Sequence, residues 1–418
     1  ITGGSKYNTT YEGYNWGAGA KYKLSKRNVI QFDYSGNNYA SRYKYLIENS
    51  GYLPGQYALT KLQKFHDAEL KGIFGFTTNS TTVFGVDYRR EVLRRPDSDL
   101  DKSVYTTSAY GQHEVKLWNH LTGVVGVRYD HHEQTGGRFT PKVAAMYNIG
   151  NFNVRATYAA GFRAPGIDEL YYHMFKKTMG TRATISLGDE NLDPERSNYY
   201  SINMEYRTNR FSASVTGYLN YVKNMVTSKS TKFDDLPEAE QNQLREEFPE
   251  IGDLSSTKNL SVKNYFNFEK ATVKGFEVNL NGNLFPGFTL AGNYTYAYGR
   301  GLNEGGEWQN IERSIRHTAT ITGNYTHSWS DYTLNLNLNG RLQSKVYYPG
   351  DADGNAPGYG IWNFNTRHTF DGFRNFIIEP GIGIDNIFNK KDNRPLNKNF
   401  ALYSPGRSVV ISLALRLK

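Results

Sequence analysis

The sequence predicts an all-β fold, a transmembrane antiparallel β-barrel with about 17 strands in this chain. Three observations favour this fold: apolar and polar residues alternate with period two, short and long connections alternate, and aromatic residues are abundant. Aromatic residues make up 15% of the 418 residues, whereas hydrophobic residues as a whole reach only 38%. A barrel wall needs such thinly spread hydrophobicity, because only its outward face meets lipid.

The alternation is clearest over residues 332–339. Leu334, Leu336 and Leu338 share one face there, and three asparagines share the other. The pattern recurs along the chain and is typical of strands with one apolar face. It predicts strands over 11–23, 28–35, 62–77, 82–90, 104–117, 121–130, 140–148, 152–162, 197–206, 211–222, 266–281, 287–298, 315–326, 332–342, 359–370, 375–386 and 408–417.

The connections between these segments alternate in length. Short turns are predicted near residues 25–26, 79–80, 119, 150, 209, 286–287, 329 and 372. Long loops are predicted over 36–61, 91–103, 131–139, 163–196, 223–265, 299–314, 343–358 and 387–407. Membrane barrels have short periplasmic turns and long extracellular loops, whereas a sandwich or propeller has no reason to keep this alternation in phase.

Composition excludes several other classes. The sequence has no run of about 18 apolar residues, so no transmembrane helix is predicted. Cysteine is absent, which excludes disulfides and thiolate metal sites. The net charge of +9 comes from scattered Lys and Arg without a basic block, so nucleic-acid binding is not expected. No catalytic nucleophile and base can be assembled, so no enzyme activity is predicted.

Strand parity predicts how much of a barrel the chain contains. The first predicted strand precedes a short turn, so it begins at the extracellular side. The last predicted strand follows a long loop, so it ends at the periplasmic side. Bacterial barrels have even strand numbers. We therefore expect 1–418 to be the C-terminal part of a barrel that lacks an odd number of N-terminal strands, with residues 1–10, including Gly3, Gly4 and Ser5, as the tail of an extracellular loop.

Two features of the loops and strand ends have their own interpretation. Residues 235–248 predict a surface helix with Asp235 as N-cap and Pro249 after its end.

Tyrosines near strand ends are interpreted as interfacial girdles if they face outward, with ligand stacking as the alternative. They are Tyr105, Tyr110, Tyr199, Tyr200, Tyr294, Tyr296, Tyr298, Tyr347 and Tyr348.

Two short motifs raise the question of metal binding. His131 and His132, flanked by Asp130 and Glu133, could ligate a metal or haem, but a solvated loop entrance is the more common role. The segment 351–355, DADGN, resembles the start of a calcium loop, yet Trp362 stands where the twelfth-position Glu is required. An acidic turn is the favoured interpretation, with a loose calcium site as the alternative.

A paired motif in the 163–196 loop resembles that of TonB-dependent outer-membrane receptors, haem and haemoglobin receptors among them. It consists of Phe162, Arg163, Ala164 and Pro165, then Asp168, Glu169, Leu170 and Tyr171, then Asn191, Leu192, Asp193, Pro194 and Glu195. The segments 385–391, DNIFNKK, and 403–408, YSPGRS, agree with the same family. Two departures are Asp189-Glu190, where haem receptors commonly carry Asn-Pro, and Lys418 in place of a terminal aromatic residue.

This resemblance implies a 22-stranded barrel in the Gram-negative outer membrane, preceded by a plug domain that binds TonB. Five strands and the plug are then missing from this chain, and transport through it needs that N-terminal part. Implied partners are membrane lipid and lipopolysaccharide, TonB through the missing part, the plug fragment and a surface lipoprotein.

The resemblance also implies uptake of a bulky nutrient, with haem first, a ferric siderophore second and cobalamin third. His173 is the candidate haem-iron ligand, Met174 is a soft alternative, and Tyr171 and Tyr172 are candidates for stacking on a porphyrin. The alternative is that this segment packs the loop over the barrel mouth, with Arg163 and Glu169 pairing near the loop base. An alternative function of another class is a passive pore or adhesin.

Overall fold

The structure is a computed structural model, and it describes residues 7–48, 51–177, 182–302, 306–311, 313–347, 355–391 and 406–418. Over these residues the chain forms one large sheet, a separate two-stranded ribbon, two α-helices and three short 3-10 helices. None of the helices in these ranges is long and apolar enough to cross a membrane.

Long strands follow one another in chain order, and each pairs antiparallel with the next long strand. The seventeen within the described ranges are β1 (Tyr7–Lys23), β2 (Asn28–Tyr45), β3 (Tyr57–Thr77), β4 (Ser80–Arg95), β5 (Leu100–Trp118), β6 (Leu121–His132), β7 (Gly136–Ile149), β8 (Phe152–Arg163), β11 (Glu195–Arg207), β12 (Phe211–Lys232), β13 (Leu260–Phe285), β14 (Phe288–Leu302), β16 (His317–Trp329), β17 (Tyr332–Gln343), β20 (Tyr359–Phe370), β21 (Phe376–Asp385) and β22 (Ser408–Leu417). The predicted fold class and all the predicted strands are confirmed.

The remaining elements belong to the connections. The short strands are β9 (His173–Lys177), β10 (Ala183–Leu187), β15 (Trp308–Asn310), β18 (Val346–Tyr347) and β19 (Asn355–Ala356). The helices are α1 (Ile167–Tyr171) and α2 (Glu238–Glu247), with 3-10 helices over Pro96–Ser98, Phe233–Asp235 and Pro249–Asp253. β10 pairs in parallel with β13 and antiparallel with β9, so it extends the sheet beyond the long strands.

The two faces of the sheet follow the predicted alternation. On one face of β17, Asn337 and Asn339 donate to Asn324 Oδ1 at 2.6 Å and to Thr322 Oγ1 at 2.8 Å. Leu338, on the opposite face, is 42% exposed. Because successive residues of a strand point to opposite sides, the polar partners define an inward face and the exposed apolar residues an outward face.

The connections alternate in length as predicted, but several predicted loops are too long. The loop predicted over 36–61 covers only residues 46–56, because β2 and β3 continue to Tyr45 and from Tyr57. The loops predicted over 91–103 and 131–139 likewise shrink to residues 96–99 and 133–135. Beyond the lipid both faces of a strand meet water, so the ladder continues after the period-two signal has faded.

The sheet is open over the described residues. β1 has a ladder on one side, to β2, and β22 has one on one side, to β21. Every residue of β22 is exposed, and so are most residues of β1. The loop tail is predicted over residues 1–10, but residues 7–10 belong to β1, so that part of the prediction is wrong. Residues 1–6, with Gly3, Gly4 and Ser5, lie outside the described residues.

The predicted surface helix is present but begins later than expected. α2 starts at Glu238 with Pro237 as N-cap, so the prediction that Asp235 caps it is wrong. Asp235 ends the preceding 3-10 helix, because Leu236 N bonds to Phe233 O at 3.2 Å and closes a separate turn. Pro249 follows the helix as predicted, after Phe248.

Part of the tyrosine set has the outward position that the girdle interpretation requires. Tyr200, Tyr294, Tyr296 and Tyr298 have the same parity as exposed apolar residues of their strands and face outward. Tyr110 faces inward, where its hydroxyl donates to Glu69 Oε1 at 2.6 Å, and so cannot join a girdle. Tyr105 is outward and stacks on Tyr88, and Tyr199 stacks on Tyr218 at inward positions. Tyr347 lies in β18, and Tyr348 is outside the described residues.

Candidate functional site at the long-loop end of the sheet

Two long loops pack together at one end of the sheet, and we call their described residues, 164–177, 182–194 and 233–259, the cap. Together with the start of β13 the cap has its own hydrophobic core, in which Ile185, Phe233 and Val262 have no exposed surface. Ala183, Leu244, Phe248, Ile251 and Leu260 complete it. Burial of these side chains makes the cap a packed unit rather than two independent loops.

Arg163, the last residue of β8, holds the base of the cap. Its Nη1 donates to Glu169 Oε2 in α1 at 2.9 Å, and its Nη2 donates to Glu195 Oε1 in β11 at 2.6 Å. Gly166 N also donates to Glu169 Oε2, at 2.7 Å, and Val226 N to Glu195 Oε1, at 2.8 Å. The expected pair of Arg163 and Glu169 is therefore present, and it also joins the two halves of the motif.

The remaining motif residues are mainly packing residues. Pro165 and Pro194 are buried, Phe162 and Ala164 are partly buried, and Leu192 packs against Leu170 and Val226. Asn191 is exposed and accompanies Asp189, whose Oδ1 accepts from Asn191 N at 2.8 Å. This geometry explains how Asp189-Glu190 is accommodated, since Asp189 folds the turn that leads into Leu192.

Tyr171 and Tyr172, predicted as stacking residues, lie in the packing between the cap and the sheet. Both contact the cluster of Leu93, Leu100, Val104 and Ile167. Arg95 Nη1 donates to the Tyr172 hydroxyl at 3.1 Å, and Lys102 Nζ lies 4.9 Å from the Tyr171 ring centroid. Burial raises the pKa of both hydroxyls above its ordinary value of 10.0, partly offset at Tyr172 by Arg95.

His173 and Met174 begin β9 and point in different directions. The Met174 side chain is only 7% exposed. The His173 side chain is 56% exposed, its Nε2 lies 3.2 Å from Glu247 Oε2, and its ring stacks on Phe248 with centroids 4.4 Å apart. A hydrogen bond from Gln243, and a weaker contribution from His173, lower the pKa of Glu247 below its ordinary 4.5.

A charged pocket of about 400 Å³ lies under α1, on the inward side of β4, β6 and β8. Arg89, Glu91, Arg128 and Asp130 line it, together with the motif segment 162–167. Arg128 bridges Asp87 at 2.8 Å and Asp130 at 2.7 Å. The pocket therefore joins the cap motif to the polar interior of the sheet, and it presents guanidinium groups next to carboxylates.

Sequence reasoning missed Arg89, Glu91 and Arg128 as site residues. Each stands at an inward position of its strand, near the long-loop end. The available signal was the parity of charged residues within the period-two pattern, because a charge that shares a face with the polar residues points into the interior.

The two predicted metal motifs have different outcomes. His131 and His132 are neighbours on β6 and point to opposite faces, so they cannot ligate one ion together. His132 is buried, and its Nδ1 accepts from Gln134 N at 3.3 Å. Residues 351–354 of the calcium-like segment lie outside the described residues. In the ranges that the structure covers, three or more His, Asp or Glu do not gather in a metal-holding group.

Residues 2–387 match the family described as TonB dependent receptor-like, beta-barrel. This match covers most of the chain, and the sheet and the capped end agree with it. The chain belongs to the TonB-dependent receptor β-barrel family. Proteins of this family are located in the Gram-negative outer membrane, so the long-loop end of this receptor is extracellular and its short turns are periplasmic.

The receptor resembles several known proteins in sequence. It is 24% identical over 315 residues to the ferric enterobactin receptor PirA of Pseudomonas aeruginosa, which covers 69% of this chain and 38% of PirA. It is 21% identical over 362 residues to the probable TonB-dependent siderophore receptor PirA of Acinetobacter baumannii, and the match covers 81% of this chain and 46% of that receptor. A match to the vitamin B12 transporter BtuB of Vibrio cholerae is 25% identical but covers only 42% of this chain and 27% of BtuB.

Solved structures agree with the fold. The ferric enterobactin receptor PfeA of P. aeruginosa superposes with a TM-score of 0.69 at 16% identity, covering 98% of this chain and 62% of PfeA. The siderophore receptor PirA of A. baumannii superposes with a TM-score of 0.68 at 14% identity, covering 97% of this chain and 62% of PirA. The receptor chain thus spans about half the length of these relatives, and the named relatives and neighbours are receptors or transporters rather than enzymes.

Proposed function

We propose that this chain forms the wall and extracellular cap of a TonB-dependent transporter that takes up a ferric siderophore. The observation that carries the proposal is the combination of a polar inward face with a packed cap over its extracellular end. A passive pore needs an open mouth, whereas a transporter that binds its cargo needs ordered loops at that position. The names of the siderophore-receptor relatives support an iron chelate as the cargo.

The transport unit in this proposal includes parts beyond this chain, namely a plug domain and the strands that close the cylinder. The support is physical, because an open sheet edge leaves backbone groups without partners in lipid. β1 and β22 are such edges over the described residues. Contact with TonB, and energy coupling, belong to the plug in this scheme.

We rank a siderophore above haem as the cargo because the named relatives are siderophore receptors. Haem is the second candidate because of His173. Its imidazole is exposed on the cap, where a porphyrin could reach it. Ligation by Nε2 requires that the contact with Glu247 is exchanged for iron. Cobalamin has weaker support, since the BtuB match covers less than half of this chain.

Growth under iron limitation tests the proposal. A strain that lacks its receptors for iron chelates is complemented with the complete receptor and supplied with ferric enterobactin, with haem, or with cobalamin in a separate cobalamin-dependent assay. We expect growth on the ferric siderophore that disappears when TonB is deleted. Growth on haem alone, lost in His173→Ala, would instead establish the second candidate.

Conductance separates transport from the pore or adhesin alternative. The complete receptor, reconstituted in a planar bilayer, should conduct almost no current, because the plug and the cap obstruct the interior. A large steady conductance, independent of TonB, would contradict the proposal. Failure to grow on any of the three nutrients, together with binding to host macromolecules, would favour an adhesin.

A further inference from the structure

Charged residues are distributed unevenly over the inward face of the sheet. The inward positions of β2 to β6 carry many acidic and basic side chains, and we call these positions the charged arc. Its members include Asp33, Asp67, Glu69, Lys71, Asp87 and Arg128. This part of the wall therefore presents fixed charges to the interior of the receptor.

The inward positions of β12, β13, β14, β16 and β17 are nearly free of charge, and we call them the neutral arc. They carry mainly Ser, Thr and Asn side chains. Glu277 and Arg341 are the charged residues at inward positions over the described residues 211–222, 271–283, 288–302, 317–329 and 332–343. A wall without fixed charges neither holds nor repels an ion strongly.

Side chains of the neutral arc bond to one another across the strands. Asn293 Nδ2 donates to Asn279 Oδ1 at 2.6 Å, and Thr326 Oγ1 donates to Asn335 Oδ1 at 2.8 Å. The two bonds of β17 described above have the same arrangement. Because these donors and acceptors are already used within the wall, they gain little from bonding to a passing molecule.

The charged arc has the opposite character. Some of its charges are paired, as in the contact of 2.6 Å between Lys71 Nζ and Glu69 Oε2. Others, those of Lys61, Glu91 and Glu114, make no hydrogen bond or ion pair with a described residue. Fixed charges of this kind hold a complementary protein surface in a defined orientation.

A groove of about 390 Å³ lies in the neutral arc. Its inward lining includes Asn279, Asn281, Ala291, Asn293, Thr320 and Thr322. The charged residues at its edge, Glu205 and Arg207, are paired with each other at 2.6 Å. Arg207 is the last residue of β11, so the groove reaches the periplasmic end of the wall.

We propose that the neutral arc lines the route along which the cargo crosses the membrane, and that the charged arc faces the plug. Passage requires contacts that are weak enough to be left again, and the neutral arc provides such contacts. The cargo that fits this wall is a hydrated, polar chelate. The proposal rests on the proposed function, because it assumes a cargo and a plug, and it adds which strands face each of them.

Thiol labelling tests which arc faces the plug. The chain has no cysteine, so an introduced thiol reports on its own surroundings. Ala291→Cys lies in the neutral arc and Val83→Cys in the charged arc, and each residue is the fourth of a strand that begins at a periplasmic turn.

The purified complete receptor is treated with a small charged thiol reagent, and the receptor without either substitution gives the background. Ala291→Cys should react on the order of tenfold faster than Val83→Cys, because the plug covers Val83 and leaves Ala291 accessible. Equal rates, or a faster reaction of Val83→Cys, would overturn the proposal.

A charge placed in the neutral arc tests the route itself. Uptake of ferric enterobactin with radioactive iron is measured in cells with TonB, and surface binding is measured in cells without it. Ala291→Asp and Ala291→Lys should each lower uptake on the order of tenfold, because a fixed charge repels or retains a charged chelate. Surface binding should change less than about twofold, since the cap is unaltered.

Ala291→Asn and Ala291→Gln are the matched controls, because they add a side chain of similar size without a charge. Both should take up the chelate at nearly the rate of the unmodified receptor. Unchanged uptake in the two charged variants, or an equal loss in the uncharged ones, would overturn the route. If the unmodified receptor takes up no chelate, the proposed function fails, whereas the thiol rates still decide which arc faces the plug.

Discussion

The Nε2 atom of His173 lies 3.2 Å from Oε2 of Glu247, and this contact joins the two loops that form the cap. His173 starts β9 in the first loop, and Glu247 ends α2 in the second. The predicted haem ligand is thus part of a link within the cap, and its stacking on Phe248 places the link at the edge of the hydrophobic core.

Acid should loosen this link. A carboxylate whose pKa is lowered on folding contributes stability above its ordinary value of 4.5 and loses it as the pH falls through the lower, folded-state value. Limited proteolysis of the cap should therefore accelerate below about pH 4.5, by less than about tenfold because Glu247 is partly exposed. Glu247→Gln should remove this pH dependence, whereas Glu246→Gln, at the neighbouring exposed position, should keep it. An unchanged profile in Glu247→Gln would contradict the link.

Removing the centre of the cap core should release the cap without unfolding the sheet. Phe233 is fully buried there, and Phe233→Ala leaves a cavity that costs about 3–5 kcal/mol. Hydrogen exchange should accelerate over residues 182–187 and 238–251, while β16 and β17 keep their protection. Phe373→Ala, at an exposed position in a periplasmic turn, is the control and should leave the cap unchanged. Equal acceleration in the long strands would show that the cap does not fold as a separate unit.

Lysine should not replace arginine at the base of the cap. Arg163 donates to Glu169 with both Nη1 and Nη2 and to Glu195 with Nη2, a forked arrangement that a single ammonium cannot reproduce. Arg163→Lys should destabilise the cap by about 1–3 kcal/mol, measured by urea-dependent proteolysis. Arg207→Lys changes an exposed pair at the periplasmic end and should cost less than about 0.5 kcal/mol. Similar losses from the two substitutions would rule out the special role of Arg163.

Gly188 should not tolerate a side chain. A Cβ there would lie 2.6 Å from the carbonyl carbon of Leu170, which is backbone and cannot move aside alone. Gly188→Ala should displace α1 and cost about 1–3 kcal/mol of cap stability. Gly252→Ala is the matched substitution in the second loop, where a Cβ meets nothing within 4 Å. The measurement is the rate of hydrogen exchange at the backbone amides of Leu170 and Tyr172. An exchange rate in Gly188→Ala equal to that of the wild-type receptor would show that Gly188 and α1 do not pack closely.

The sequence predicts the wall well because its signal is local. Leu334, Leu336 and Leu338 must face lipid, and a single-residue shift would bury the asparagines between them in hydrocarbon. Strand ends were underestimated where both faces meet water, as in β2 and β3. The predicted N-cap, Asp235, lies two residues before the observed one, since an acidic residue two positions before a proline fits both a cap and a turn.

The cap was not predictable in the same way. β10 pairs in parallel with β13, and Ala183 stands opposite Leu260. A short-range sequence pattern does not predict a contact between segments so distant in sequence. The roles of Tyr171 and Tyr172 depend on Arg95 and Lys102, which come from another hairpin. The motif residues were found by resemblance, and only the folded arrangement shows that Arg163 bridges its two halves.

β13 runs for 26 residues from the periplasmic turn into the core of the cap, a length of about 85 Å. Its first five residues pair with β10, and later ones form the wall. The cap is therefore continuous with the wall along this strand. Tilting of the cap must bend β13 or rotate the wall with it, which connects the extracellular end of the receptor mechanically to its periplasmic end.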